Sequence, residues 1–163
     1  MLKKIIGITL LMGILSVSAF AAIPRDQMHI GGLKLGMTLQ QVTTVYGMPQ
    51  AVNLPSKAAR GMYEIAGGLI DGWIDDETNT FARYALRDDL TGASKINASG
   101  GITLGMTLTE VEQRLGKPDM VDPYGTKGLI IYKSVEVRKD GYPDNLLVYF
   151  SNGRVSSFTI NVF

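Results

Sequence analysis

The chain has 163 residues, with 16 Lys and Arg, 15 Asp and Glu, and no cysteine. A formal charge of +1 is too small to favour nucleic acid or an anionic membrane as the main partner. Without cysteine, the chain has no disulfide framework, no thiol nucleophile and no zinc site of the usual Cys and His type. Apolar burial must therefore hold the fold together.

The N-terminus has the pattern of a secretory signal peptide over residues 1–21. Two lysines precede an apolar run at residues 5–15, which is shorter than the roughly 20 residues of a membrane span. Ala19 and Ala21 suit signal peptidase, so we expect cleavage after Ala21 and a lead-in at 22–30. Ala22 stands where a lipoprotein needs cysteine. The mature chain is therefore expected to be periplasmic or secreted, with no membrane anchor.

One phrase occurs twice, as GGLKLGMTLQQVTTVYGMP from Gly31 and as GGITLGMTLTEVEQRLGKP from Gly100. Each copy predicts a short helix that begins at a threonine, has Gln or Glu three residues later as in a capping box, and ends at a glycine before a proline. The predicted structural caps are Thr38, Gly47 and Pro49 in the first copy, and Thr107, Gly116 and Pro118 in the second.

The segments after each helix predict antiparallel strands. In the second half these are GLIIYKSVEVR, LLVYF and VSSFTINVF, with an Asn-Gly turn before the last. In the first half they are GMYEIAG, LIDGWI and FARYALR. Alternation in the last of these predicts that Ala82, Tyr84 and Leu86 face inward.

These elements predict an α+β fold of two tandem units, at residues 31–90 and 100–163, joined by a linker at 91–99. Each unit is expected to be a short N-terminal helical segment packed on an antiparallel sheet of about three strands. A unit of about 65 residues can only just support its own core. We therefore expect the units to pack against one another or to join their sheets.

The repeated pattern resembles the SmpA/OmlA family of outer-membrane assembly lipoproteins, also called BamE-type domains. In its tandem arrangement it is similar to the β-lactamase inhibitor proteins. The matching residues are Leu35, Gly36, Met37, Thr38, Val42, Gly47 and Pro49, and Leu104, Gly105, Met106, Thr107, Val111, Gly116 and Pro118.

This resemblance implies a non-catalytic exported module of the cell envelope that binds other proteins. The implied partners are outer-membrane assembly components. Alternatively, it implies a secreted or periplasmic inhibitor of an envelope enzyme such as a β-lactamase.

The side chains that could carry chemistry do not form a recognised catalytic or metal-binding pattern. His29, the single histidine, lies in the lead-in, where we expect a surface residue rather than the base of a catalytic triad. The acidic turn after Asp75 lacks the glycine and the bidentate glutamate of a calcium loop, with Thr80 and Leu86 at those positions. The glycines before the first helix lack the Lys-Ser/Thr pair of a nucleotide loop. We therefore predict no enzyme, no cofactor and no metal.

The segment LLVYF at residues 146–150 is apolar on both faces of its predicted strand, so each face must contact something. One interpretation is that it packs against the first unit. The other is that one row of it, with Trp73, lines an open surface for a protein partner. The candidate partner-binding residues are Trp73, Tyr132, Tyr142, Val148, Tyr149 and Phe150.

Overall fold

The computed structural model describes residues 23–52, 61–122 and 128–162 of the chain. The predicted signal peptide therefore lies outside the described residues. Within them, ten strands and two α-helices form, together with short 3₁₀ helices. None of these helices is long and apolar enough to cross a membrane.

The helices are α1 (Leu39–Tyr46) and α2 (Leu108–Leu115). The strands of the first half are β1 (Gln50–Ala51), β2 (Met62–Ile65), β3 (Ile70–Asp75) and β4 (Thr80–Leu86). The short strands β5 (Asn97–Ala98) and β6 (Ile102–Thr103) pair with each other between the halves. The second half contains β7 (Met120–Asp122), β8 (Leu129–Val137), β9 (Pro143–Ser151) and β10 (Arg154–Asn161). Short 3₁₀ helices occupy Arg25–Gln27, Ala93–Lys95 and Ser99–Gly101.

Both helices begin with a complete capping box. The Thr38 hydroxyl accepts the Gln41 amide at 3.3 Å, and the Gln41 side chain accepts the Thr38 amide at 2.8 Å. Thr107 and Glu110 make the same pair of bonds, at 3.3 and 2.7 Å. Both helices end at a glycine with positive φ, a conformation that costs glycine little because it has no Cβ. The next residue but one after each glycine is proline.

Eight strands form one antiparallel sheet in the order β1-β2-β3-β4-β10-β9-β8-β7. The final strands of the two halves, β4 and β10, pair at its centre, with Ile160 opposite Tyr84. The predicted α+β fold of two tandem units, each with its own sheet of about three strands, is therefore wrong. Strands dominate the fold and belong to one sheet. Two separate sheets would leave the backbone groups along one edge of both β4 and β10 unpaired, and joining them satisfies those groups.

The two halves repeat the same arrangement on either side of this central pair. Each half adds a short edge strand, β1 or β7, that the sequence did not reveal. The loop before each helix also pairs with the last strand of its own half. Phe81 donates to the Met37 carbonyl at 2.9 Å, and Val155 donates to the Met106 carbonyl at 2.8 Å. The repeated phrase thus positions each helix beside the start of the strand that closes its half.

A β-bulge near the start of both β4 and β10 changes which side chains face inward. Trp73 lies opposite Arg83 while Ile74 lies opposite Phe81, so Ala82 is an extra residue. The expectation that Ala82 faces inward with Tyr84 and Leu86 is wrong, because Phe81 takes that place and is fully buried. In β10 the register shifts in the same way between Val155 and Ser157.

The core lies on one face of the sheet, under the helices and the lead-in. Buried side chains of the inner face form one cluster with Val42 of α1, Val111 of α2 and Met28 of the lead-in. Residues 91–99, the predicted linker, contribute Ala93 and Ala98 to this cluster. A single core therefore serves both halves.

The lead-in is attached to the far end of the sheet. The Ile23 carbonyl accepts the Val135 amide at 3.0 Å beyond the end of β7. The Arg25 guanidinium contacts the buried Asp144 carboxylate at 2.6 Å. The bond between Ile23 and Val135 protects part of the β8 edge that β7 leaves unpaired, and the Arg25 contact ties the lead-in to β9.

Candidate functional site: the open face of the sheet

One face of the sheet is not covered by any helix or strand in the described parts of the chain. Its side chains form cross-strand rows that the register defines. We call this surface the open face. One row is Glu64, Asp71, Ala85, Thr159, Leu147, Ile131 and Met120; the next is Met62, Trp73, Arg83, Asn161, Asn145 and Lys133; a third contains Ser157, Tyr149 and Leu129.

The open face is wide enough for a protein partner. Its longest row spans seven strands spaced about 4.8 Å apart, and side chains of successive rows lie about 6.8 Å apart along a strand. The three rows together cover about 500 Å², which is more than half of the roughly 800 Å² that each partner contributes to a standard interface. Most of its side chains are partly exposed, although Thr159 and Asn145 are buried.

Trp73 on β3 is the largest aromatic side chain of the open face. The Arg83 guanidinium lies over its ring, 4.5 Å from the centroid, in a cation–π contact. Because β3 and β4 pair directly at these residues, the indole and the guanidinium form one continuous platform. Tryptophan and arginine are the residue types most enriched at binding hot spots.

One end of the open face is acidic. Glu64 and Asp71 lie directly opposite each other on β2 and β3. Arg87 contacts Glu64 at 3.2 Å and Asp89 at 3.7 Å. One oxygen of Asp71, Oδ1, is inaccessible to solvent and has no hydrogen-bond partner among the described residues.

Burial is the main reason that the pKa of Asp71 is raised above its ordinary value. The neighbouring charges act in both directions: Arg87 and Arg83 lower this pKa, whereas Glu64 and Asp89 raise it. The net rise means that the Asp71 carboxylate is poorly compensated when it is ionised.

The other end of the open face contains an apolar depression of about 290 Å³. Its apolar walls are Met120, Ile131, Leu147, Tyr142 and Pro143, and its polar rim is Lys133, Asn145 and Asn161. A depression of this size holds one large side chain of a partner.

The structure divides the candidate partner-binding residues between two faces. Trp73 and Tyr149 lie on the open face, and Tyr142, which is 64% exposed, lies at the rim of the depression. Tyr132, Val148 and Phe150 are buried on the inner face and are therefore not part of the open face.

The local contacts explain this division. In LLVYF, successive side chains alternate between the faces, which sends Val148 and Phe150 into the core and leaves Leu147 and Tyr149 outside. The Tyr132 ring is buried, and its hydroxyl donates to the Gly116 carbonyl at the end of α2 at 3.1 Å. The inward side chains of LLVYF belong to the one core cluster that includes residues of the first half, and the two halves join edge to edge in one sheet.

Sequence reasoning did not identify Asp71, Ile131, Lys133 and Leu147 as part of this site. The signal for Ile131 and Leu147 was present, because both are the outward members of apolar runs with no polar row. The role of Asp71 and Lys133 depends on which strands are neighbours across the sheet, and that information is not local.

The predicted caps lie away from the open face and have structural contacts. Thr38 and Thr107 begin the helices, and the amides of Gly47 and Gly116 donate to helix carbonyls at 2.8 Å. These four residues therefore begin and end the two helices.

The lone histidine and the acidic turn are also occupied by local contacts. The ring Nδ1 of the half-buried His29 accepts the Gly32 amide at 3.2 Å, while Ser99 bonds to the backbone of His29 rather than to its ring. Burial and the nearby Lys34 lower the pKa of His29. The Asp75 carboxylate accepts the amides of Glu77 and Thr78 at 2.8 and 3.0 Å. None of these contacts joins the His29 imidazole to a serine or threonine hydroxyl, as a catalytic triad requires.

A larger hollow of about 400 Å³ lies beside the lead-in and is lined by charged residues. Both arginines of this hollow pair within the protein: Arg25 contacts Asp144, and Arg138 contacts Asp140 at 3.0 Å. Among the described residues, no cluster of three or more His, Asp or Glu side chains could hold a metal ion. The open face is therefore the stronger candidate site.

Comparisons of the chain with protein-family models, with curated proteins and with solved structures found no match.

Proposed function

We propose that this chain is a non-catalytic, exported protein-binding module of the cell envelope that binds its partner on the open face. The observation that carries the proposal is a wide sheet face, uncovered by the described residues, that presents Trp73 stacked with Arg83 together with Tyr149. Export rests on the signal-peptide pattern of residues 1–21. The envelope role rests on the resemblance of the repeated phrase to the SmpA/OmlA assembly lipoproteins.

Alanine variants of the two aromatic residues test this proposal. Trp73→Ala and Tyr149→Ala are each expected to weaken partner capture from envelope extract by about tenfold or more, because anchors of this type cost at least 1 to 2 kcal/mol when truncated. Met48→Ala is the matched control, since Met48 is 78% exposed and follows α1. Unchanged capture by both aromatic variants, with unchanged folding, would contradict binding on the open face.

The second candidate function is inhibition of an envelope enzyme, such as a β-lactamase, by a loop placed in its cleft. The observation that favours it is the exposed Tyr142 at the turn between β8 and β9, where Arg138 donates to the Tyr142 carbonyl at 2.8 Å. Steady-state assays of purified envelope hydrolases distinguish the two functions. An inhibitor lowers their activity and loses this effect in Tyr142→Ala, whereas an assembly module captures outer-membrane assembly components without changing hydrolase activity.

A further inference from the structure

Resting on the function proposed above, we propose that the partner presents a Lys or Arg side chain over Glu64 and Asp71 and a large apolar side chain over Ile131 and Leu147. The open face is polarised, and the partner must match both ends of it. The experiment below separates failure of this inference from failure of the proposed function.

The acidic end lacks enough positive charge of its own. Arg87 is shared between Glu64 and Asp89. Asp71 is influenced by the charges of Arg87 and Arg83, but the guanidinium of Arg83 is stacked on Trp73, so three carboxylates share two guanidinium groups. The Oδ1 atom of Asp71 has no hydrogen-bond donor among the described residues. A carboxylate with one oxygen lacking a donor is poorly compensated, and a cationic side chain from a partner, placed over the partly exposed Glu64 and Asp71, supplies the opposite charge that this pair lacks.

The apolar end requires a different group. Ile131 and Leu147 are cross-strand neighbours on β8 and β9, and Met120 extends their row onto β7. Met120 is 50% exposed and Tyr142 is 64% exposed beside them. An aromatic or branched aliphatic side chain of a partner removes this apolar surface from water.

A second copy of the chain is a poor occupant of the open face. Face-to-face sheets keep their strand directions within about 30° of each other. With a two-fold axis along the strands, Asp71 and Glu64 of one copy lie over Leu147 and Ile131 of the other, which buries carboxylates on apolar side chains. With the axis across the strands, the acidic ends of the two copies face each other. A heterologous partner avoids both arrangements.

The register also sets the distance between the two groups of the partner. The centre of the acidic pair and the centre of the apolar pair are four strand spacings apart, or about 19 Å. An extended peptide covers this distance with about six residues.

Selection from a random peptide library tests the inference with a defined probe. The purified protein without residues 1–21 is panned against displayed peptides of about 12 residues, long enough to span both ends. We expect the enriched peptides to contain Lys or Arg about six positions from an aromatic or aliphatic residue. Peptides without tryptophan are then resynthesised, and binding is measured by the emission of Trp73, the single tryptophan of the chain.

Two variants and one control test which end of the open face binds which group of the peptide. The double variant Glu64→Gln with Asp71→Asn is expected to weaken binding about fivefold or more, because it removes a charge pair at a partly exposed site. Leu147→Thr is expected to weaken it about tenfold. The matched control, Asp76→Asn with Glu77→Gln, removes the same two charges from the exposed β3–β4 turn and is expected to leave affinity unchanged.

The outcomes separate the two proposals. In one outcome, the selected peptides change Trp73 emission, show no preference for Lys or Arg, and bind the double variant Glu64→Gln with Asp71→Asn as tightly as the original protein. That outcome overturns this inference and leaves the proposed function intact. If no peptide is enriched, or if binding is unaffected by the open-face variants, both fail. Trp73 emission that changes with protein concentration alone, together with dimers in sedimentation, overturns the inference in favour of a second copy.

Discussion

Two threonines determine where the helices begin. Thr38 and Thr107 each accept an amide from the residue three positions later, and each receives a side-chain bond in return. The partner is Gln41 in α1 and Glu110 in α2, so the same geometry is reached with a neutral and with a charged side chain. The hydrogen bond from the Thr107 backbone amide is the main reason that the pKa of Glu110 is lowered.

We expect Thr38→Ala and Thr107→Ala each to lower the free energy of unfolding by about 1 kcal/mol, because each leaves a helix amide without its acceptor. Urea denaturation measures the change. Thr44→Ala is the matched control on α1: its hydroxyl bonds to the Gln40 carbonyl one turn earlier, and its loss is expected to change stability by no more than about 0.5 kcal/mol. Losses near zero at both caps would show that the capping boxes do not stabilise the helices.

The acidic end of the open face should make stability depend on pH. The pKa of Asp71 is raised in the folded chain above the ordinary value of 3.8. The folded state therefore binds more protons than the unfolded state between 3.8 and the raised value, and stability falls as pH rises through that window. We expect Asp71→Asn to be more stable than the original chain at pH 7, with a difference that shrinks as pH falls from the raised pKa of Asp71 to 3.8, measured by urea denaturation across pH.

Asp75 provides a control of opposite sign. The amides of Thr78 and Glu77 lower the pKa of Asp75 below 3.8. Its contribution is therefore present above pH 3.8 and is lost as pH falls through the lowered value. If Asp71→Asn and Asp75→Asn showed the same pH trend, the assignment of the unfavourable carboxylate to Asp71 would be wrong.

Strand β3 contains a glycine where its inner face meets two large side chains. A Cβ at Gly72 would lie 2.6 Å from Phe81 Cε1 and 2.8 Å from Ile65 Cδ1. Phe81 in turn stacks on Tyr84 with ring centroids 5.1 Å apart. The missing side chain at Gly72 thus leaves room for the aromatic pair that the bulge of β4 directs inward.

We expect Gly72→Ala to destabilise the protein by about 1 to 3 kcal/mol, since the added methyl group overpacks the core. Gly128→Ala is the matched control, because a Cβ there has an ordinary contact of 3.5 Å with Phe150 Cβ. Thermal unfolding of both variants provides the comparison. Equal melting temperatures for the two would mean that the Phe81 ring moves at little cost.

One sheet and one core join the two halves, so the protein should unfold as a single unit. β4 and β10 share the pairing at the centre, and buried residues from both halves form one cluster. Small domains with a single core usually unfold in one cooperative step. Two independent units would instead unfold at separate midpoints.

Phe158→Ala tests this cooperativity, because Phe158 is fully buried in the second half whereas Trp73 reports from the first. The substitution should cost about 3 to 5 kcal/mol and should shift the denaturation midpoint seen by Trp73 fluorescence as much as that seen by circular dichroism. Ser156→Ala, at the half-buried bulge position of the same strand, is the control with little expected change. An unshifted Trp73 transition would mean that the halves unfold separately.

Much of the local structure was readable from the residues alone. The caps, the glycine ends and the six long strands each follow from residues within a few positions of one another, since capping and alternation act over that range. The outward position of Tyr149 follows from alternation along β9, although its neighbours on the face do not.

The arrangement of the sheet depends on contacts between distant parts of the chain. Ile160 pairs with Tyr84, and Asp71 and Lys133 come to opposite ends of one face, because strand edges join where this leaves the fewest backbone groups unpaired and the most apolar surface buried. No short stretch of sequence encodes that choice. The threonines and glycines of the repeated phrase therefore specify two helices, whereas the joining of β4 to β10 creates the open face.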